Sequence, residues 1–251
     1  MIVTPIKTRV LTPPQDDLLS VIKESVKEIS EGSIFVVTSK VVSIWQGRCV
    51  PVNKVSDKDA LIMEEAEKYL PRNETPGGWV MHTMKNNLLI PTAGIDESNA
   101  KDHYILWPKD IKKTTRDLWD WLKKTYKITK FGLIITDSHS IPLRRGVVGI
   151  SLSHYGFSPL KDYRHTPDIF GREMKVSQTN VADSLAAAAG VVMGEGREQT
   201  PIAIIDGISY LQFGDRKEGD RFSKFEVSLE EDLYKPFIER APWQNGGSYE
   251  K

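Results

Sequence analysis

The segment Ser33-Ile34-Phe35-Val36-Val37 constrains this chain most. Four consecutive apolar residues after Gly32, with no polar alternation, read as a buried strand, and such a strand needs helices or other strands packed over it. The flanking sequence supplies them. Behind Asp16-Asp17, residues Leu18, Leu19, Ile22, Val26 and Ile29 recur at helical spacing, and Gly32 ends the helix they predict. A second apolar stretch runs from Val41 to Trp45. Ser56 caps a helix predicted from Asp57 to about Tyr69, which Pro71 stops. Trp79–Met84 and Leu88–Ile90 flank Lys85-Asn86-Asn87 as a hairpin. Another helix is predicted between Lys109 and Tyr126, with Ile111, Leu118 and Leu122 on one face. Trp119 and Trp121, two apart, do not face each other and read as one core and one boundary residue.

The second half repeats the alternation. Phe131–Thr136 is a short apolar run entering a polar turn, and Gly146–Leu152 looks like its partner strand. Val181–Met193 is a small-residue helix with Thr179 or Asn180 as N-cap, followed by a strand at Pro201–Ile205. The tail from Leu229 to Arg240 reads as helix broken near Pro236. Interspersed helices and hairpin-linked strands predict an α+β (mixed α/β) fold rather than a regular doubly wound sheet. Residues 1–251 read as a single unit with two subdomains meeting near residues 71–78. A charged, Tyr-containing loop over residues 161–173 is the other irregular stretch.

Composition removes several function classes. Lys plus Arg and Asp plus Glu both number 34, so the net charge is zero, which argues against a generic nucleic-acid binder. The single cysteine, Cys49, excludes an intramolecular disulfide framework and a zinc site of several thiolates, and points to a reducing cytosol. No apolar run approaches the ~20 residues needed to cross a bilayer. The N-terminus lacks the long apolar stretch of a signal peptide, so a cytoplasmic protein with no membrane partner is expected.

Four short constellations carry candidate chemistry. In Ile134-Ile135-Thr136-Asp137-Ser138-His139 an apolar strand delivers a carboxylate and a hydroxyl where it should end. Hard cations such as Mg²⁺ or Mn²⁺ take oxygen donors of this kind, and a turn cap is the other reading of Asp137. In Thr92-Ala93-Gly94-Ile95-Asp96-Glu97-Ser98-Asn99, Asp96 suits a metal and Asn99 a ligand, or the pair forms an ordinary Asx turn. Met193-Gly194-Glu195-Gly196 sits where the small-residue helix should end. A carboxylate there meets the negative end of the helix dipole at a cost of roughly 0.3–1 kcal/mol, which a bound cation would reverse. The glycines let backbone approach a phosphate, or merely stop the helix beside an exposed Glu. Arg144-Arg145-Gly146 offers two planar donor forks for phosphate or carboxylate, or a solvated pair. Histidines 82, 103, 139, 154 and 165 show no zinc spacing. Together the acids, arginines and glycine-flanked loop form an inventory for phosphate chemistry with a divalent metal.

The order of these motifs resembles the coenzyme F-420 gamma-glutamyl ligase family. The resemblance rests on Ala93–Asn99, Ile134–Ser138, Arg144–Gly149, Asp168–Glu173, Val181–Asp183 and Met193–Gly196, and spans Pro5 to about Gly207. It implies an unusual fold of mixed and antiparallel sheets with flanking helices in an intertwined homodimer. It also implies a GTP-dependent ligase that uses Mg²⁺ or Mn²⁺, with two ions, to join L-glutamate to a small carboxylate acceptor like the coenzyme F-420 precursor through an acyl phosphate. Asp96, Asp137, Ser138 and Glu195 would be metal ligands. Asp137, Arg144 and Arg145 would act in catalysis. Pro5, Ile6, Ser39, Lys40, Asn99, Met193, Gly194 and Gly196 would contact the nucleotide. The chain departs from the family pattern at Ile44, where a lysine is common, and at Ser138-His139-Ser140-Ile141, where an arginine is missing. A folate or other gamma-glutamyl ligase, or a non-catalytic nucleotide-binding homologue, are the alternative readings.

Overall fold

The computed structural model describes residues 1–214 and 225–247. Strand β1 (Ile2–Ile6) opens the chain and helix α1 (Leu18–Ser25) follows. The Asp17 carboxylate accepts the amides of Leu19 and Ser20, a side-chain N-cap. The helix stops at Val26, which turns extended, so Val26 and Ile29 join the core from irregular chain rather than from a helix reaching Gly32. Strand β2 (Ile34–Thr38) runs directly into helix α2 (Ser39–Trp45), the form taken by the apolar stretch at 41–45. Next come β3 (Cys49–Pro51), α3 (Lys58–Glu65), β4 (Lys68–Tyr69), β5 (His82–Lys85), β6 (Leu88–Pro91) and β7 (His103–Ile105). The helix expected to reach Tyr69 ends four residues early, because Ala66 turns extended and Lys68-Tyr69 pair as a strand. Its cap is Asp57, whose carboxylate accepts the Asp59 amide, not Ser56. Asn86 and Asn87, both left-handed, close the β5–β6 hairpin.

Helix α4 (Ile111–Tyr126) precedes the two longest strands, β8 (Gly132–Ser140) and β9 (Val147–Tyr155). After β10 (Leu160–Asp162) and β11 (Gln178–Asn180), Asn180 caps α5 (Val181–Met193) by accepting the Asp183 amide. Strand β12 (Ile202–Asp206), helix α6 (Lys235–Ile238) and strand β13 (Gln244–Asn245) complete the described chain. The helix expected over 229–240 is only a 3-10 turn at Leu229–Glu231 and the four-residue α6, with Pro236 inside its first turn.

The central sheet has the order β1-β12-β2-β8-β9. All its pairings are antiparallel except β2 with β8, which is parallel from Ile34/Gly132 to Thr38/Thr136. Side chains alternate across it. Phe35, Val37, Leu133 and Ile135 face a core shared with α1, α2 and α4. Ile34, Val36, Ile134 and Ala203 face the opposite way, against α5. That double burial is why the strand at 34–37 carries no polar alternation. A second sheet, β13-β4-β5-β6, closes a smaller core of Ile62, Ala66, Met81, Ala93, Ile95 and Leu106. The loop at residues 71–78 forms two 3-10 turns inside this unit, and β4 pairs with β5 across it.

One end of the central sheet gathers several chain segments. The parallel ladder ends at Thr38 and Thr136. Beside it β12 begins, with Ile202 opposite both Val37 and Ile6. The exits of β1 and β2 and the entry to β12 therefore share one edge, the place where open sheets with parallel strands bind ligands. Strand β8 does not end at Asp137 as the sequence suggests. It runs on to Ser140, pairing with β9, and a register shift between Ile135 and Thr136 re-aims its side chains.

Gly149 lets β9 come this close to α5. A Cβ there would lie 2.5 Å from the Ala186 carbonyl oxygen. Gly149→Ala should cost about 1–3 kcal/mol through overpacking, read as a lower urea midpoint; an unchanged midpoint would contradict the close approach.

Candidate functional site

A cavity of about 470 Å³ opens at this end of the sheet, a volume in the range of small-molecule sites. Thr8–Leu11, α2, the 96–101 segment, β8, β9 and the 194–201 loop all contribute to its wall. The loop after α5 is stitched to the sheet by backbone hydrogen bonds from Thr8 N to Gln199 O and Thr38 N to Pro201 O, each 3.0 Å. Thr200 Oγ1 donates to Met193 O at 2.6 Å and closes the loop on the helix end. Gly194, at φ +75°, has no room for a Cβ against the Glu198 carboxylate.

Asp96 is delivered by an unusual backbone. Thr92, Ala93 and Gly94 are three consecutive left-handed residues, a conformation that costs non-glycine residues about 1–3 kcal/mol each. It is held from within: buried Thr83 Oγ1 accepts the Ala93 amide at 2.8 Å and donates to Ile90 O. Asp96 then meets Lys40, whose ammonium lies 2.6 Å from Oδ2 and also donates to Ser98 O at 2.9 Å. Ser98 N and Oγ donate to Asp96 Oδ1 at 2.7 and 2.8 Å. Burial would raise the Asp96 pKa, but Lys40 and Ser98 outweigh it and hold the carboxyl below the usual range.

Asp137 is tuned the other way. Its carboxyl group is enclosed while the residue keeps partial exposure along β8. Burial, with the nearby Asp96 charge added, pushes it up to about 6. Hydrogen bonds from Trp107 Nε1 to Oδ2 and from Ser138 N to Oδ1 pull in the opposite direction. One strand position on, Ser138 Oγ donates to Glu195 Oε2 at 3.3 Å. Asn99, left-handed at φ 52°, donates from Nδ2 to Gly196 O at 2.8 Å and so ties the 96–101 segment to the 194–201 loop.

The fold thus brings Lys40, Asp96, Asn99, Asp137, Ser138, Met193, Gly194, Glu195 and Gly196 to one cavity. Ser39 lies buried beneath it. Pro5 and Ile6 stay in β1, and the stretch that continues from them lines the wall at Thr8, Arg9, Val10 and Leu11. Arg144 and Arg145 are exposed on the β8–β9 turn with Ile141 and do not line the cavity. Ile44 is buried on α2, and the ammonium of this wall comes from Lys40 one helical turn earlier. Among the described residues, no three His, Cys, Asp or Glu side chains are grouped so as to share a single ion. Trp107, in Ile105-Leu106-Trp107-Pro108, escapes the sequence reading because it looks like plain core. Glu198, inside the 194–201 loop, accepts the Gly196 amide at 2.8 Å.

Comparison with known proteins follows the same stretch of chain. The family model described as F420-0:Gamma-glutamyl ligase matches residues 5–207. The coenzyme F420:L-glutamate ligase of Methanopyrus kandleri is 31% identical over 212 residues, covering 78% of this chain and 82% of that protein. The protein of the same name from Methanocaldococcus jannaschii is 30% identical over 210 residues, covering 76% and 82%. That of Archaeoglobus fulgidus is 28% identical over 259 residues, covering 95% and 98%.

Asn99→Ala removes the tie to Gly196 and places alanine in a left-handed conformation. A lost hydrogen bond of about 0.5–1.5 kcal/mol should speed amide exchange in the 194–200 loop by a few-fold to about tenfold, measured by mass spectrometry. Unchanged exchange would mean that the loop is held without Asn99.

Proposed function

This chain belongs to the F420-0:gamma-glutamyl ligase family, and on that premise we propose that it joins L-glutamate to the carboxylate of an F420-type acceptor with GTP as co-substrate. The observation that carries the reading is the convergence of Lys40, Asp96, Asp137, Ser138 and Glu195 on one ligand-sized cavity inside the stretch that the family model matches.

The chemistry proceeds in two displacements. An acceptor carboxylate oxygen attacks the γ-phosphorus of GTP, and the bond to the β-phosphate oxygen breaks to release GDP. The glutamate amine then attacks the carbonyl carbon of the acyl phosphate, inorganic phosphate leaves, and the nitrogen loses a proton to give the amide. Lys40 lies where its ammonium can meet phosphate oxygens, at the junction of β2 and α2. The 194–200 loop lines the same cavity with backbone that can approach phosphate closely at Gly194 and Gly196. The acyl phosphate has to be kept from water until the amine attacks.

The donor set fits divalent cations. Asp96, Asp137, Ser138 Oγ and Glu195 are all hard oxygen donors, the kind Mg²⁺ and Mn²⁺ take. They fall into two pairs: Asp96 acts electrostatically on Asp137, and Ser138 is hydrogen-bonded to Glu195. Two pairs would hold two ions, Asp96 with Asp137 and Ser138 with Glu195. When bound, the ions neutralise the phosphates and the charge that develops in transfer. A homodimer belongs to the same proposal. The exposed turn bearing Arg144 and Arg145 would then meet substrate only where an assembly brings it to a cavity.

GTP with Mg²⁺ or Mn²⁺ at about 100 times its Kd should stabilise the protein by roughly 2.7 kcal/mol, seen as a raised Tm. Absence of a shift with every nucleotide and metal pair, ATP included, would overturn the nucleotide site. Asp137→Asn should abolish glutamate-dependent product while leaving the unliganded Tm near wild type, and wild-type turnover by that variant would remove Asp137 from the mechanism. Glu195→Gln should raise the metal concentration needed for half-maximal activity; an unchanged requirement would take Glu195 out of the ion site. Offering folate-type and F420-type acceptors side by side identifies the acceptor.

A further inference from the structure

Trp107 lies outside every sequence signal, yet it touches the most enclosed carboxylate of the site. Its indole Nε1 donates to Asp137 Oδ2, while the other carboxylate oxygen accepts the Ser138 amide. With one N–H on each oxygen, the carboxylate has lost its rotational freedom, and its remaining lone pairs are free to serve the cavity it lines. The indole itself is wedged. It is 2% exposed and packs on Gly94, where a Cβ would fall 2.1 Å from the ring. Gly94 stands two residues before Asp96, so one ring braces the segments that carry both acids.

Behind the ring is a partly buried ion network. Arg48 Nε donates to the Trp107 carbonyl at 3.2 Å. Lys85 Nζ stands 5.7 Å from the Trp107 ring centroid. Arg48 and Lys85 both reach Glu65, at 2.8 and 2.7 Å. The choice of partner for Asp137 matters chemically. A lysine or arginine in hydrogen-bond contact would add a positive charge to the carboxylate, whereas an indole N–H orients it without adding one.

We propose that Trp107 is a positioning residue for the ligation site: its indole N–H fixes the Asp137 carboxylate in the orientation that serves the cavity, and the Arg48–Glu65–Lys85 network fixes the indole. This rests on the ligase reading for the reaction, and on the geometry alone for the hydrogen bond.

Trp107→Phe keeps a ring against Gly94 and removes only the donor. The variant should fold, by circular dichroism and Tm. Its Mn²⁺ affinity, read by electron paramagnetic resonance without substrates, should fall about 10- to 100-fold, as for other groups that orient a metal ligand. The kcat should fall by a similar factor with KM for glutamate unchanged. Wild-type Mn²⁺ affinity and kcat in a folded Trp107→Phe would overturn the proposal. The hydrogen bond is read separately from the indole ¹⁵N–¹H resonances of the six tryptophans, with that of Trp107 assigned by its loss in Trp107→Phe. This resonance should shift in Asp137→Asn and on adding Mg²⁺ to the wild type, whereas one indifferent to both would overturn the contact even if the phenylalanine variant does not fold. Should the wild type fail to ligate glutamate, the ligase reading falls, and the Mn²⁺ and resonance measurements still decide the role of Trp107.

Discussion

The parallel pairing of β2 with β8 is the constraint on which the rest depends. Every other neighbour in the central sheet is antiparallel, so this one ladder sets where strand exits accumulate. Because both strands are covered on both faces, their carboxyl ends have one open direction, past Thr38 and Thr136. Strand β2 turns there into α2 and presents Lys40, while β8 runs on past a register shift and presents Asp137 and Ser138. The antiparallel strand β12 starts at the same edge, so the loop that feeds it must cross the cavity. A cation, two carboxylates and a glycine-containing loop thus meet through topology, although more than 150 residues separate Lys40 from the loop.

The two neighbouring acids are held in different states by their partners. Asp96 has the Lys40 ammonium and stays ionised below the ordinary range. Asp137 is hydrogen-bonded by neutral donors alone, and burial, with the Asp96 charge added, pushes it up to about 6. Separated environments for paired titratable groups are a recurring mark of chemical sites, and here the separation follows from which element each residue ends. The left-handed 92–94 segment, pinned by Thr83, keeps Asp96 within electrostatic range of Asp137. No helix among the described residues is long and apolar enough to cross a membrane.

Much of this was legible beforehand because it is local. The apolar run at 34–37, the periodic helix at 111–126 and the small-residue helix at 181–193 stand where the pattern placed them. Asp96, Asp137 and Glu195 come from separate motifs of the sequence and line one cavity. What escaped depends on contacts distant in sequence. Strand β1 is short, mostly exposed and contains Pro5, so it gives no strand signal of its own, and it exists because β12 offers it an edge. The helix expected to Tyr69 gave way to β4 because β5 and β13 compete for those residues. Trp107 has an apolar neighbourhood indistinguishable from core, and only the fold reveals that its N–H points at a carboxylate. Arg144 and Arg145 looked adjacent to the acids in sequence, yet a hairpin carries them away from the cavity.

In the proposed reaction the acceptor carboxylate is phosphorylated and its phosphate is then exchanged for the amine of glutamate. Labelling that carboxylate with ¹⁸O follows the oxygen through the first step. In a reaction with GTP, glutamate and Mn²⁺, mass spectrometry should find one ¹⁸O in the inorganic phosphate and a product enlarged by a glutamyl residue. Glutamyl product accompanied by unlabelled phosphate would contradict the account, because the acceptor oxygen would then never have been bonded to phosphorus.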